Sequence, residues 1–147
     1  WDTEQGKSIV YGNLIHEILS KINTSNDLEE VVNQYVFKGI ISKEQKPYVS
    51  ELLESVVYHP LLVDYFKQNN QVFCEREIVA NDGSIMIPDR LVVNNQNVAI
   101  LDYKTGKPNA KYHQQINQYA AVLTELKFKV TKKLLIYIND EIVVEVV

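Results

Sequence analysis

The segment Ile100-Leu101-Asp102-Tyr103-Lys104-Thr105-Gly106 closes an apolar run with a carboxylate and an ammonium two residues apart. On a β-strand, side chains alternate with a period of two. Asp102 and Lys104 then share the face of Val98 and Ile100. Charges in an apolar row are costly unless a partner or a metal ion compensates them. A second aspartate breaks the same rule. Ile85, Ile87, Asp89, Leu91 and Val93 form one row in which only Asp89 is charged, and Pro88 beside it disfavours regular pairing. A short turn expected at residues 94–97 brings Asp89 and Asp102 to the same end of one hairpin. Carboxylates forced together repel, and one has its pKa raised. A hard divalent cation such as Mg²⁺ or Mn²⁺ removes that penalty. Lys104 projects from the same face, within reach of a substrate or an attacking water.

Other residues can serve this centre. Glu75 and Glu77 share the face of Phe73 and Val79 on the preceding expected strand, and either can complete an acidic cluster. Gln115 and Tyr119 are neighbours one turn apart on an expected helix, suited to phosphate or base contacts, or equally to a half-buried tyrosine beside a surface glutamine. On the first expected helix, the His16 side chain leans back over Gly12. The missing side chain at Gly12 leaves room for a ligand, a metal or a second backbone, or marks a helix-packing glycine.

Charge distribution adds a further hint. Net charge is −4, yet residues 103–133 hold seven lysines and one acid, net +6. That segment reads as a track for a polyanion or as a solvated helix face.

The elements that must position these groups follow from periodicity. Apolar residues at three- and four-residue spacing predict helices over 8–22, 28–36 and 49–57. Asn26/Glu29 and Ser42/Gln45 resemble capping boxes, Gly39 is a stop, and His59-Pro60 breaks the third helix. Residues 61–66 suggest a short helical turn. Strands are expected at 72–80, 85–93 and 98–103 as an antiparallel meander, then a crossover helix over 109–126 and closing strands at 131–138 and 141–147. The fold class is α/β: N-terminal helices, then a mixed sheet flanked by helices, in one domain over 1–147. A single cysteine, Cys74, excludes an internal disulfide and a multi-cysteine metal site, and fits a reducing, cytoplasmic setting. No apolar run reaches membrane-spanning length, and no secretory leader opens the chain. No phosphate-binding loop, nucleophile elbow or Cys-x-x-Cys is present, so no nucleotide cofactor is expected.

Five pieces together resemble the nuclease domain of RecB-type helicase–nucleases, within the PD-(D/E)XK nuclease superfamily. They are Gly12-Asn13-Leu14-Ile15-His16, Glu75-Arg76-Glu77, Ile87-Pro88-Asp89-Arg90, Asp102-Tyr103-Lys104-Thr105-Gly106 and Gln115-Ile116-Asn117-Gln118-Tyr119. The likeness is greatest to the C-terminal nuclease domain of UvrD-like helicases, so the chain, which starts at Trp1, is expected to be a fragment of a longer helicase–nuclease.

The resemblance implies a restriction-endonuclease-like core and a Mg²⁺- or Mn²⁺-dependent deoxyribonuclease, an exonuclease on single strands or DNA ends in recombination and repair. It implies His16, Asp89, Asp102 and the Tyr103 carbonyl as metal ligands, Lys104 as the catalytic lysine, and Glu77 as the acidic residue of the first strand, with Glu75 as its alternative. Gln115 and Tyr119 would lie near the DNA, with Lys107 and Lys111 contributing to DNA binding. Two other readings fit the same residues: a DNA- or protein-binding module on this fold that does not cut, and a small-molecule binder in which Asp102–Lys104 is a structural ion pair.

Overall fold

The computed structural model describes residues 4–147, with side chains from residue 11 onward. The side chains of Ile9 and Val10, part of the first helical pattern, lie outside the described ones. The chain forms two compact units, residues 1–68 and 69–147.

The first unit is helical, with α1 (Glu4–Ser20), α2 (Leu28–Phe37) and α3 (Lys46–Val57). Their buried faces carry the residues that the spacing selects: Ile15, Ile18 and Leu19; Val31, Val32 and Tyr35; Val49, Leu53, Val56 and Val57. The first helix starts before residue 8 and stops short of residue 22. Its end tightens into three-residue turns, with the Lys21 and Ile22 amides donating to Ile18 and Leu19 carbonyls. The first capping box is displaced from its expected place. Asp27, not Glu29, reaches back, and its Oδ2 accepts from the Thr24 amide at 3.0 Å. The second forms as expected: Ser42 N–H donates to Gln45 Oε1 and Gln45 N–H to Ser42 Oγ. Gly39, at φ +77°, stops α2 in the left-handed conformation that glycine adopts without strain.

The second unit is built on a five-stranded mixed sheet in the order β1-β4-β5-β6-β7. Its strands are β1 (Gln71–Cys74), β4 (Arg90–Asn94), β5 (Asn97–Lys104), β6 (Lys129–Ile138) and β7 (Ile142–Val146). All pairs are antiparallel except β5–β6, which is parallel and joined through α4 (Ala110–Glu125). The meander, the crossover helix and the closing strands occur as the sequence predicts. No helix among the described residues is long and apolar enough to cross a membrane.

Two expected strands are interrupted. The stretch 72–80 breaks at Glu75, which takes φ +51°. The stretch 85–93 breaks around Pro88, which has no N–H for a ladder. The pieces beyond the breaks, β2 (Ile78–Val79) and β3 (Ile85–Met86), pair with each other in a separate two-stranded sheet. The period of two therefore does not run through either break. Glu75 and Glu77 do not share a strand face with Phe73 and Val79, and Ile85 and Ile87 do not continue the row of Leu91 and Val93.

α4 lies against one sheet face. Ile116, Tyr119, Val122 and Leu123 pack with Leu91, Val93, Val98, Ile100, Leu135 and Tyr137. Asn109 caps the helix, its Oδ1 accepting from the Lys111 amide at 2.9 Å. The loop from β5 into α4 is tied to the β6–β7 turn, where the Asn139 side-chain amide exchanges two hydrogen bonds with the Gly106 backbone.

Ile100, fully buried at the centre of β5, anchors this layer. Ile100→Ala should lower unfolding stability by about 2–5 kcal/mol in denaturant titrations, through lost burial and the cavity left behind.

Candidate active site

The β4–β5 hairpin fixes the two aspartates. Its register pairs Asn94 with Asn97 and Arg90 with Leu101 across the two-residue turn Asn95-Gln96. One step further along the same register, Asp89 stands opposite Asp102. Opposed residues on antiparallel strands project to the same face. The two then brace each other through the backbone. The Tyr103 amide donates to Asp89 Oδ2 at 2.8 Å, and the Asp89 amide makes a longer contact of 3.4 Å to Asp102 Oδ1. The Glu75 amide donates to the Asp89 carbonyl at 3.0 Å, so the break in the first strand serves to hold this residue.

Asp102 is almost fully buried, with 3% of its side chain exposed. Burial, followed by the charge of Asp89, pushes its carboxyl up to about 7, against a smaller downward pull from Lys104. Lys104 Nζ stands 2.9 Å from Asp102 Oδ2 as an ion pair. That oxygen nonetheless receives no well-directed hydrogen bond among the described residues. Nζ also donates to Gln115 Oε1 at 2.6 Å and lies 4.7 Å from the centre of the Tyr112 ring. A lysine only donates, so Gln115 must present its oxygen here and keeps its NH₂ as a donor. Tyr119 lies on the buried face of α4. Burial, then the charges of Asp102 and Asp89, push its phenol up to about 12.

The backbone adds an acceptor. On a strand, the N–H and C=O of one residue point to the same side. The Tyr103 N–H reaches Asp89, so its carbonyl also faces the β4 side.

Among the described residues, no group of three or more His, Cys, Asp or Glu side chains is arranged to hold a metal ion. The donor set at this centre is two carboxylates plus a backbone carbonyl. An all-oxygen set of this kind, with the buried Asp102 Oδ2 lacking a directed hydrogen bond, fits a hard dication that keeps several waters, such as Mg²⁺ or Mn²⁺.

The remaining expected residues are placed as follows. His16 is half-buried on α1, in the first unit. Glu77 is exposed in the break between β1 and β2, and Glu75 is exposed with its amide on Asp89. Lys107 and Lys111 are exposed on the loop and first turn leading into α4, at the Lys104 end of β5. Lys129 pairs with Asn97 at the opposite end of that strand, about 17 Å from Asp102 at strand rise. Lys133 donates to Asn117 on α4. The basic segment of the sequence is thus divided between the two ends of the sheet.

Sequence reasoning missed two residues. Tyr112 reads as a core position, although its place three residues before Gln115 puts it on the same helix face. Arg90 is fully buried on the opposite sheet face, with Nη1 3.7 Å from Cys74 Sγ. Burial, its first cause, pushes the Cys74 thiol up. A cation in the row of Val92 was visible from alternation alone.

The sequence profile of the PD-(D/E)XK nuclease superfamily matches residues 1–145, across both units, and the chain belongs to that superfamily. Its members are generally nucleolytic and generally use divalent metals such as Mg²⁺ or Mn²⁺. No curated protein matches the chain significantly.

The raised carboxyl of Asp102 sets a pH dependence. Its folded-state value of about 7 lies above the ordinary 3.8. The stabilisation from holding its proton is complete below about pH 4 and is lost as pH rises through about 7. In metal-free buffer, the melting temperature of the wild type should fall relative to Asp102→Asn over that interval. Mn²⁺ should raise the wild-type melting temperature at neutral pH and leave Asp102→Asn nearly unchanged.

Proposed function

We propose that this chain is a divalent-metal-dependent deoxyribonuclease, most like the nuclease domain of RecB-type, UvrD-like helicase–nucleases, acting as an exonuclease on single strands or DNA ends in recombination and repair. Residues 1–147 would form one nuclease domain of a longer helicase–nuclease. The observation that supports this best is buried Asp102 beside half-buried Asp89, with Lys104 at 2.9 Å from Asp102. Two neighbouring carboxylates carry more negative charge than the single Lys104 ammonium balances, and a dication would supply the rest.

Asp89, Asp102 and the Tyr103 carbonyl would hold Mg²⁺ or Mn²⁺. His16 keeps its role as a ligand on the motif resemblance alone. When bound, the ion supplies Lewis acidity to the scissile phosphodiester. Lys104 orients the attacking water and donates to the negative charge that develops on the phosphoryl oxygens. Both aspartates would be ionised against the cation. Gln115, through its free NH₂, and Tyr119 contact the DNA strand, while Lys107 and Lys111 meet phosphates at the mouth of the site. Glu77, or Glu75, supplies the further acidic group that the family places on the first strand.

DNA digestion with Mg²⁺ or Mn²⁺ tests this. Asp102→Ala should lose both Mn²⁺ binding by calorimetry and cleavage. Lys104→Ala should keep Mn²⁺ binding and lose cleavage by about 100- to 1,000-fold. Equal digestion by wild type and Asp102→Ala would rule out the site. DNA that is bound but never shortened by the wild type under either metal would instead favour a non-cutting binding module.

A further inference from the structure

Three groups surround the Lys104 ammonium, and only one is charged. Asp102 Oδ2 is the charged one, at 2.9 Å. The others, Gln115 Oε1 at 2.6 Å and the Tyr112 ring at 4.7 Å, both come from α4, one turn apart. Tyr112 is itself held. It is half-buried and makes a tilted contact with Tyr137, with ring centroids 6.3 Å apart. Tyr137 is buried and is the β6 residue that pairs with Lys104. Strand register and helix packing therefore converge on the lysine from two elements.

The chemistry of the three contacts differs once a dication occupies the carboxylates. Asp102 would then share its charge with the ion, and the like charges of ion and ammonium would weaken the Lys104–Asp102 contact. A glutamine oxygen and an aromatic face can still hold a cation. Both are neutral, so neither adds negative charge that would repel the phosphate.

We infer that Tyr112 is a positioning residue, whose ring face holds the Lys104 ammonium at the carboxylate pair when Asp102 is engaged elsewhere. The inference rests on the nuclease reading for its kinetic consequence and on geometry alone for the contact.

Two measurements test it separately. The first is steady-state cleavage by wild type, Tyr112→Phe and Tyr112→Leu. Phenylalanine keeps a ring face, so kcat should stay within about twofold. Leucine should lower kcat by roughly 5- to 30-fold, the range expected from losing a partly desolvated cation–π contact. KM for DNA and the Mn²⁺ affinity should stay near wild type, which a general structural role for Tyr112 would not give.

The second measurement needs no DNA and no activity. In lysine ammonium ¹H–¹⁵N spectra, the Lys104 signal should be shifted upfield by the ring in wild type and Tyr112→Phe, and should return toward ordinary values in Tyr112→Leu. Equal kcat for the Phe and Leu variants, or a folded wild type whose Lys104 ammonium shows no ring shift, would overturn the inference. If Tyr112→Leu fails to fold, the wild-type spectrum decides alone. A wild type that cuts no DNA but shows the ring shift sinks the nuclease reading and leaves the contact standing.

Discussion

Two carboxylates share one end of a hairpin, Asp102 buried and Asp89 half-buried, and backbone amides from the facing strand meet both. Asp89 takes the amide of Tyr103, while Asp102 faces the amide of Asp89. Each aspartate is a poor neighbour for the other in charge and a good one in hydrogen bonding. Backbone amides can hold the oxygens in place but cannot cancel two negative charges, which is why burial and repulsion raise the Asp102 carboxyl. Much of the second unit is arranged around this unresolved charge. β4 and β5 set the distance, α4 supplies the groups around Lys104, and the tie between Gly106 and Asn139 fixes the loop that carries the chain from one to the other.

The legible part of this arrangement was the part written in short-range periodicity. The turn expected at 94–97 brought Asp89 and Asp102 to the same end of a hairpin, and the observed register, with Asn94 paired to Asn97, sets them opposite one another. The interval of four between Gln115 and Tyr119 gave their common helix face. The illegible part lies where backbone conformation departs from its period. Nothing in the residue type of Glu75 announces φ +51°. Once that residue reverses, every inside–outside assignment beyond it is lost, and Glu77 falls into an exposed connection. Tyr112 was hidden for another reason. An aromatic at a core spacing looks the same whether it packs on leucine or beneath an ammonium, and only the position of Lys104 on the neighbouring strand separates the two.

Charge in the sequence and charge in space also part company. Seven lysines within one stretch suggest a continuous basic track, but a strand, a helix and a second strand parallel to the first intervene. A crossover returns the chain to the starting end of β5, so Lys129 lies at the far end and Lys132 and Lys133 lie mid-strand, away from Lys104. The subset that accompanies the aspartates is Lys104, Lys107 and Lys111. Lys133 is already spent on Asn117.

Pro88 gives the hairpin an end that the strands alone would not have. The β4–β5 pairing ends at Arg90 and Leu101; carried on by two residues, the same register sets Pro88 against Tyr103, where an imino acid has no N–H to give. At this point the Tyr103 amide bonds the Asp89 side chain in place of a backbone carbonyl. The mouth of this site is in that sense an omission rather than an addition. A residue with an N–H at position 88 would offer the sheet one more rung where the two aspartates stand, altering the site's backbone without touching any acidic or basic side chain.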